Sequence, residues 1–193
     1  MGLFRRGNRK QQKAEKATAE EAQASAGSQA QAEDQPVELL VVLPGEQSGQ
    51  SELTLQGSVQ VGLLAQTLRQ ESLDGLYSCD TAGCLSTAEK IREGRAELET
   101  RAVPRASAEI AEWLAALRSR YAGCRVLLVA DETVLRRILA GLEGVTPDET
   151  SIPPLSPASI SRLTIRQDLS FSMRVNNTDH LDGITNSDRF RML

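Results

Sequence analysis

The sequence predicts an α/β fold: a three-layer sandwich with a mostly parallel central sheet, helices on both faces and a C-terminal antiparallel edge hairpin. Residues 125–130 (RVLLVA) form an almost wholly apolar run, as a parallel strand covered on both faces requires. Between residues 37 and 142 such runs alternate with stretches of helical periodicity, the pattern of strands joined by helical crossovers. Beyond a loop holding four prolines (Pro147, Pro153, Pro154, Pro157), Ile160, Leu163 and Ile165 and then Phe171, Met173 and Val175 flank a turn at Gln167-Asp168. That stretch reads as a hairpin.

The elements follow in order. Val37, Leu39, Leu40, Val41, Val42 and Leu43 make the first strand, which meets Pro44-Gly45 and a polar loop. Thr54 suits a helix N-cap, and Val61, Leu64, Ala65 and Leu68 repeat at helical spacing in a helix reaching about Gln70. Gly75-Leu76-Tyr77-Ser78-Cys79 is a short second strand ending in a turn at Asp80-Thr81, and Ala82–Arg92 is a helix broken at Gly94. Ser107 is expected to cap a helix over 108–120 with a buried stripe of Ile110, Trp113, Leu114 and Leu117, ended by Gly123. After the strand at 125–130, Asp131 and Glu132 stand at its carboxyl end and 133–142 form the next helix. In such a sheet, ligands are held where strands end and helices begin, so the loop after Leu43 is the natural place for a site.

At 193 residues the chain suits one domain with appendages. We expect a charged tail at 1–36, disordered or partly helical, an α/β domain at 37–181 and a polar tail at 182–193. Only 3% of residues are aromatic, so the core must be built from Leu, Val, Ile and Ala. A net charge of −4 argues against a chain-wide nucleic-acid surface, and no nucleic acid is expected as a partner. No apolar run approaches the ~20 residues that span a bilayer, and no secretory h-region follows the basic N-terminus. Cys79, Cys84 and Cys124 are odd in number and lack a zinc-like spacing, so a reduced, cytoplasmic protein with neither metal nor cofactor is expected. Cys79 and Cys84 are expected to pack as small side chains rather than to act as a redox pair. In the tail, Leu3, Phe4, Arg5, Arg6, Arg9 and Lys10 could serve as a docking arm for an acidic partner or, weakly, a membrane surface. The plainer expectation for that stretch is a flexible leader.

Segments of 37–181 carry a resemblance. The first strand ends Leu43-Pro44-Gly45-Glu46 and is followed by Leu53-Thr54-Leu55-Gln56-Gly57-Ser58-Val59-Gln60. Next come Tyr77-Ser78-Cys79-Asp80 with Gly83-Cys84-Leu85-Ser86-Thr87-Ala88. Val129-Ala130-Asp131-Glu132-Thr133-Val134-Leu135-Arg136 and Asn176-Asn177-Thr178-Asp179-His180-Leu181 complete the set. In order and spacing these resemble the histidine phosphatase superfamily, the phosphoglycerate mutase-like fold. The family's strand ends Arg-His-Gly-Glu, its second segment carries Arg-Ala-x-x-Thr-Ala, and its third is Val-Ser-His-Gly-Gly-Val-x-Arg. The resemblance implies a nucleophilic histidine, here Pro44, preceded by an arginine, here Leu43. It implies a second arginine where Gly83 stands and a second histidine where Asp131 stands.

Proline offers no side chain to attack phosphorus, and phosphoryl transfer depends on cations or oriented donors around the equatorial oxygens. The degenerate pocket would hold Gly45, Glu46, Asp131 and Glu132, and a carboxylate within 4 Å of a phosphate oxygen repels it by ~1 kcal/mol in water or ~4 kcal/mol when partly shielded. The sequence-based expectation is therefore a catalytically inactive member of the family, a binding, scaffolding or regulatory subunit with a protein partner. Its oligomeric state is left open. Two alternatives are a phosphatase-like hydrolase rebuilt on Asp131, Glu46 or His180, metal-assisted in one form, and an adaptor working through the basic arm.

Overall fold

The computed structural model describes residues 35–49 and 52–182. The docking-arm residues Leu3 to Lys10, most of the 1–36 tail and residues 183–193 lie outside the described residues. Strand β1 (Val37–Val42) is central, and a small pair, β2 (Gln47–Ser48) and β3 (Glu52–Leu53), leads to helix α1 (Leu55–Leu68). Then come β4 (Gly75–Ser78), α2 (Ala82–Arg92), β5 (Thr100–Ala102), α3 (Ser107–Arg120), β6 (Arg125–Val129) and α4 (Glu132–Glu143). The hairpin β7 (Ile160–Ile165) and β8 (Phe171–Asn177) and a 3-10 turn at Asp179–Leu181 close the fold.

The main sheet has the order β5-β4-β6-β1-β7-β8. β5, β4, β6 and β1 run parallel, while β7 and β8 are antiparallel to their neighbours. This is the expected mixed α/β sandwich with its edge hairpin. Its core is aliphatic, as the scarcity of aromatics demanded. The largest fully enclosed side chains are all Leu or Ile, among them Leu39, Leu40, Leu127, Leu128 and Ile138. Tyr77 and Trp113 meet edge to face with ring centroids 5.5 Å apart, fixing α3 against the sheet.

Several boundaries differ from the expectation. Helix α3 begins at Ser107 with Ala106 in the N-cap position and no side-chain cap. It ends at Arg120, and Gly123, with φ +73°, shapes the turn into β6 instead of ending the helix. Helix α1 stops at Leu68, and α4 gains Glu132 and Glu143. Thr54 caps α1 as anticipated, its hydroxyl accepting the Gly57 N–H at 2.9 Å.

At the amino-terminal end of the central strands, Glu38 of β1 and Glu71 bracket Arg125 of β6 and Arg162 of β7. Arg125 Nε donates to Glu38 at 2.7 Å and Arg162 Nη2 to Glu71 at 3.0 Å, and the Arg162–Glu38 and Arg125–Glu71 pairs complete the ring. Among the described residues no helix is long and apolar enough to cross a membrane. Leu128 lies at the heart of the sheet with no exposed surface. Leu128→Ala should cost about 2–5 kcal/mol, measured as a lower urea midpoint with unchanged slope.

Candidate functional site

The site is built where β1, β4 and β6 end. Val42 pairs with Val129, and Ser78 pairs with Val129 from the other side. Past those residues the ladder continues, the Ala130 N–H donating to Val42 O and the Cys79 N–H to Val129 O, both at 3.0 Å. The ladder therefore delivers Leu43-Pro44, Cys79 and Ala130-Asp131 side by side. Pro44 is buried, and its carbonyl accepts the Ala158 N–H at 2.9 Å. Gly83 lies in the first turn of α2, and a Cβ there would sit 2.5 Å from the Gln47 carboxamide, so Gln47 occupies that space.

The acidic residues are held apart by separate local bonds. The Glu46 N–H donates to Gln60 Oε1 at 2.9 Å, and its carboxylate accepts the Thr54 hydroxyl at 3.0 Å. Gly57 allows this approach, since a Cβ on it would come 2.0 Å from the Glu46 carbonyl oxygen. Asp131 is the N-cap of α4, its Oδ1 accepting the Val134 N–H at 2.9 Å. Glu132 pairs with Arg136 at 2.7 Å, one turn further along α4. Gly45 presses its backbone onto Gly57 and Val61 of α1. Among the described residues no three His, Cys, Asp or Glu side chains come together as metal ligands do.

His180 sits in the 3-10 turn with Nε2 3.0 Å from the Ala158 carbonyl. That contact places the proton on Nε2 and leaves Nδ1 an acceptor, buried and without a hydrogen-bond partner. Burial holds its pKa below the ordinary histidine value.

The group that sequence reasoning passed over is Cys79. Its sulfur lies 3.5 Å from the Thr81 hydroxyl, and the Cys84 thiol, that hydroxyl and the backbone of Asp131 and Thr81 are the donors that act on its titration. Against the opposing effect of burial, these donors bring its pKa down to about 6, Cys84 contributing most. The same contact pushes the Cys84 thiol up. The pair thus gives up one proton readily and keeps the other. The one local signal was a cysteine at a strand end followed by Thr81 before a helix. Cys124 lies at the far end of the sheet, before β6, and burial raises its pKa.

Residues 101–178 match the family model described as Histidine phosphatase superfamily (branch 1). Solved structures resemble the whole described domain. YhfR of Bacillus stearothermophilus aligns with TM-score 0.63 at 18% identity, over 76% of this chain and 100% of that one. A mutant phosphoserine phosphatase from Entamoeba histolytica, solved with phosphoserine, gives TM-score 0.62 at 18% identity over 75% and 99%. This chain shares the fold of these solved structures. A mycobacterial glucosyl-3-phosphoglycerate phosphatase solved with inorganic phosphate gives TM-score 0.62 at 17% identity over 74% and 98%. No curated protein matches this sequence.

These likenesses correct the expectation of an inactive scaffolding or regulatory subunit, because several of the solved proteins that share this fold nearly end to end are named as phosphatases.

Two outcomes follow from the site's geometry. Asp131→Ala should lower stability by about 1 kcal/mol through loss of the α4 cap, and Asp131→Ser should restore most of it, both read from urea unfolding. His180 titrates lower in the folded chain than the ordinary ~6.5 of the unfolded one, so the unfolded chain binds more protons there. Its stabilising contribution is complete above about pH 6.5 and is lost as pH falls through the folded value. Urea midpoints measured from pH 7 to pH 5 should fall, and less steeply in His180→Gln.

Proposed function

We propose that this chain is a phosphatase-like hydrolase of small phosphomonoesters, in which Leu43, Pro44, Gly83 and Asp131 replace the family's catalytic side chains and the chemistry is rebuilt on the Cys79 thiol. The observation that carries this reading is the thiolate. Its pKa is lowered to about 6, by the Cys84 thiol first, and it stands at the end of β4 at the same sheet edge as Pro44, with Asp131 at the end of β6 between them. The solved phosphatases of this fold, named for phosphoserine and glucosyl-3-phosphoglycerate, supply the substrate class.

In this reading the thiolate attacks phosphorus in line, forming an S–P bond as the ester P–O bond breaks. The leaving oxygen takes a proton from water. A second water then cleaves the S–P bond, releasing inorganic phosphate and regenerating the thiolate. Helices α2 and α4 both begin at this spot, so their positive ends favour the transferring anion. Arg105 forms an exposed ion pair with Asp80, the residue after Cys79. Such a pair is screened by water, so the guanidinium is free to turn to an incoming phosphate. Cys79 is only 1% exposed, and the reading requires the Asp80–Thr81 turn to swing aside when substrate binds.

The test uses the reduced, full-length protein with p-nitrophenyl phosphate, phosphoserine and 3-phosphoglycerate. Turnover should exceed buffer, and kcat/KM should rise with pH to a plateau above about 6 as the thiolate forms. Cys79→Ser should lower it at least about a hundredfold, and Cys124→Ser should leave it unchanged. Absence of turnover with all three esters, or full turnover in Cys79→Ser, would overturn the reading.

A further inference from the structure

We infer that the cleft between the end of α1 and the β7–β8 hairpin is a further binding site, built for a small organic carboxylate with an apolar body. It shares no lining residue with the strand-end site and stands apart from the hydrolase reading.

The cleft depends on a bulge. Arg162 of β7 stands opposite Leu40 of β1 on one side and opposite Arg174 of β8 on the other, so the three share one face of the sheet. Ile160 stands opposite Asn177, although Ile160 and Arg162 are two residues apart while Arg174 and Asn177 are three apart. The extra residue on β8 is a β-bulge, formed where Asn176 has φ +58°. It is fastened on both sides. The Asn176 N–H donates to Oγ of the buried Ser161 at 3.2 Å, and its side-chain oxygen accepts the Ser156 N–H at 2.7 Å. In an unbroken strand, residues three apart point to opposite faces. The bulge brings Asn177 round to the face that carries Arg174.

The resulting cleft has a volume of about 380 Å³ and combines apolar Leu40, Leu68 and Ile160 with polar Thr67, Arg174 and Asn177. Sites for small ligands run from about 300 to 1,000 Å³ and have this mixture of apolar surface and a few polar groups. Arg162 and Glu71 line the cleft too, but they answer each other at 3.0 Å. Among the described residues the Arg174 guanidinium has no ion-pair or hydrogen-bond partner, although it faces Arg162, where a like charge is unfavourable. One positive charge is therefore in excess. Its planar fork matches a carboxylate, which accepts two parallel N–H groups. A phosphate dianion fits less well, since it would bring a second negative charge against Glu71. Asn177 gives one amide hydrogen to Asp179 at 2.7 Å and keeps the other for a ligand oxygen.

The experiment titrates the full-length protein with phenylpropanoate by calorimetry at low salt, beside phenylpropanol and inorganic phosphate. The carboxylate should bind saturably, one per chain, and at least about tenfold more tightly than either comparison compound. In isotope-labelled protein the backbone amides of Thr67 and Asn177 should shift during the same titration. Arg174→Gln should weaken binding at least about tenfold, and Arg174→Lys, which keeps the charge but not the fork, should restore only part of it. Arg166→Gln, on the same hairpin, should leave the affinity unchanged. Both arginines are exposed, so these variants should keep the parent urea midpoint. Absence of saturable heat, equal binding of the alcohol, tighter binding of phosphate, or an affinity unmoved by Arg174→Gln would each overturn the inference. No ester is cleaved in this titration, so its failure leaves the hydrolase reading standing, and binding to a protein without turnover leaves this one standing.

Discussion

The arrangement depends on the pairing of β1 with β6. Apart from Glu38 and Arg125, both strands are buried along their whole length, so neither can shift register without moving a complete set of Val and Leu side chains out of the core. Their fixed register, together with β4 on the far side of β6, sets where the three strands stop. The two ends of this block differ in character. At the amino end, Glu38, Glu71, Arg125 and Arg162 form a closed ring of ion pairs in which each charge has its opposite. At the carboxyl end the chain turns into helices, whose first amide groups lack intrahelical partners. One end is satisfied internally; the other supplies oriented donors at the switch from strand to helix, which is where α/β folds place their ligands.

Much of this fold was legible in the sequence because the signals were long. An apolar run such as 125–130 can hardly be anything but a covered strand, and the alternation in 160–175 fixed both arms of the hairpin. The features that were not legible are short or depend on context. β5 has three residues, and β2 and β3 have two each, too few to carry a period. Ser107 has the chemistry of a cap, yet the backbone places Ala106 in that position, because the helix start is decided by how Ile110 and Leu114 meet the core.

The site was half legible. The order of the motifs located Leu43, Pro44, Gly83 and Asp131, and the ladder does bring Pro44 and Asp131 to the same edge. What the sequence could not show is that Cys79 stands on the far side of Asp131 from Pro44, with the Thr81 hydroxyl 3.5 Å from its sulfur. Thr81 is a near neighbour in the chain, but the Asp131 amide arrives only through the β4–β6 pairing. A thiol looks inert when it is read as a small apolar side chain. Its pKa is lowered by neighbours that the tertiary fold brings to it, Cys84 first.

The carboxylates also read differently in three dimensions. Taken as free charges, Glu46, Asp131 and Glu132 would make the strand ends hostile to a phosphate. Each, however, has taken a donor of its own: a hydroxyl for Glu46, a helix amide for Asp131 and a guanidinium for Glu132. A carboxylate at a helix start is opposed by the positive end of the dipole beside it, and one paired with arginine presents little net field. Repulsion calculated from sequence position alone is therefore too large. An anion approaching this edge meets two helix starts and the exposed Arg105.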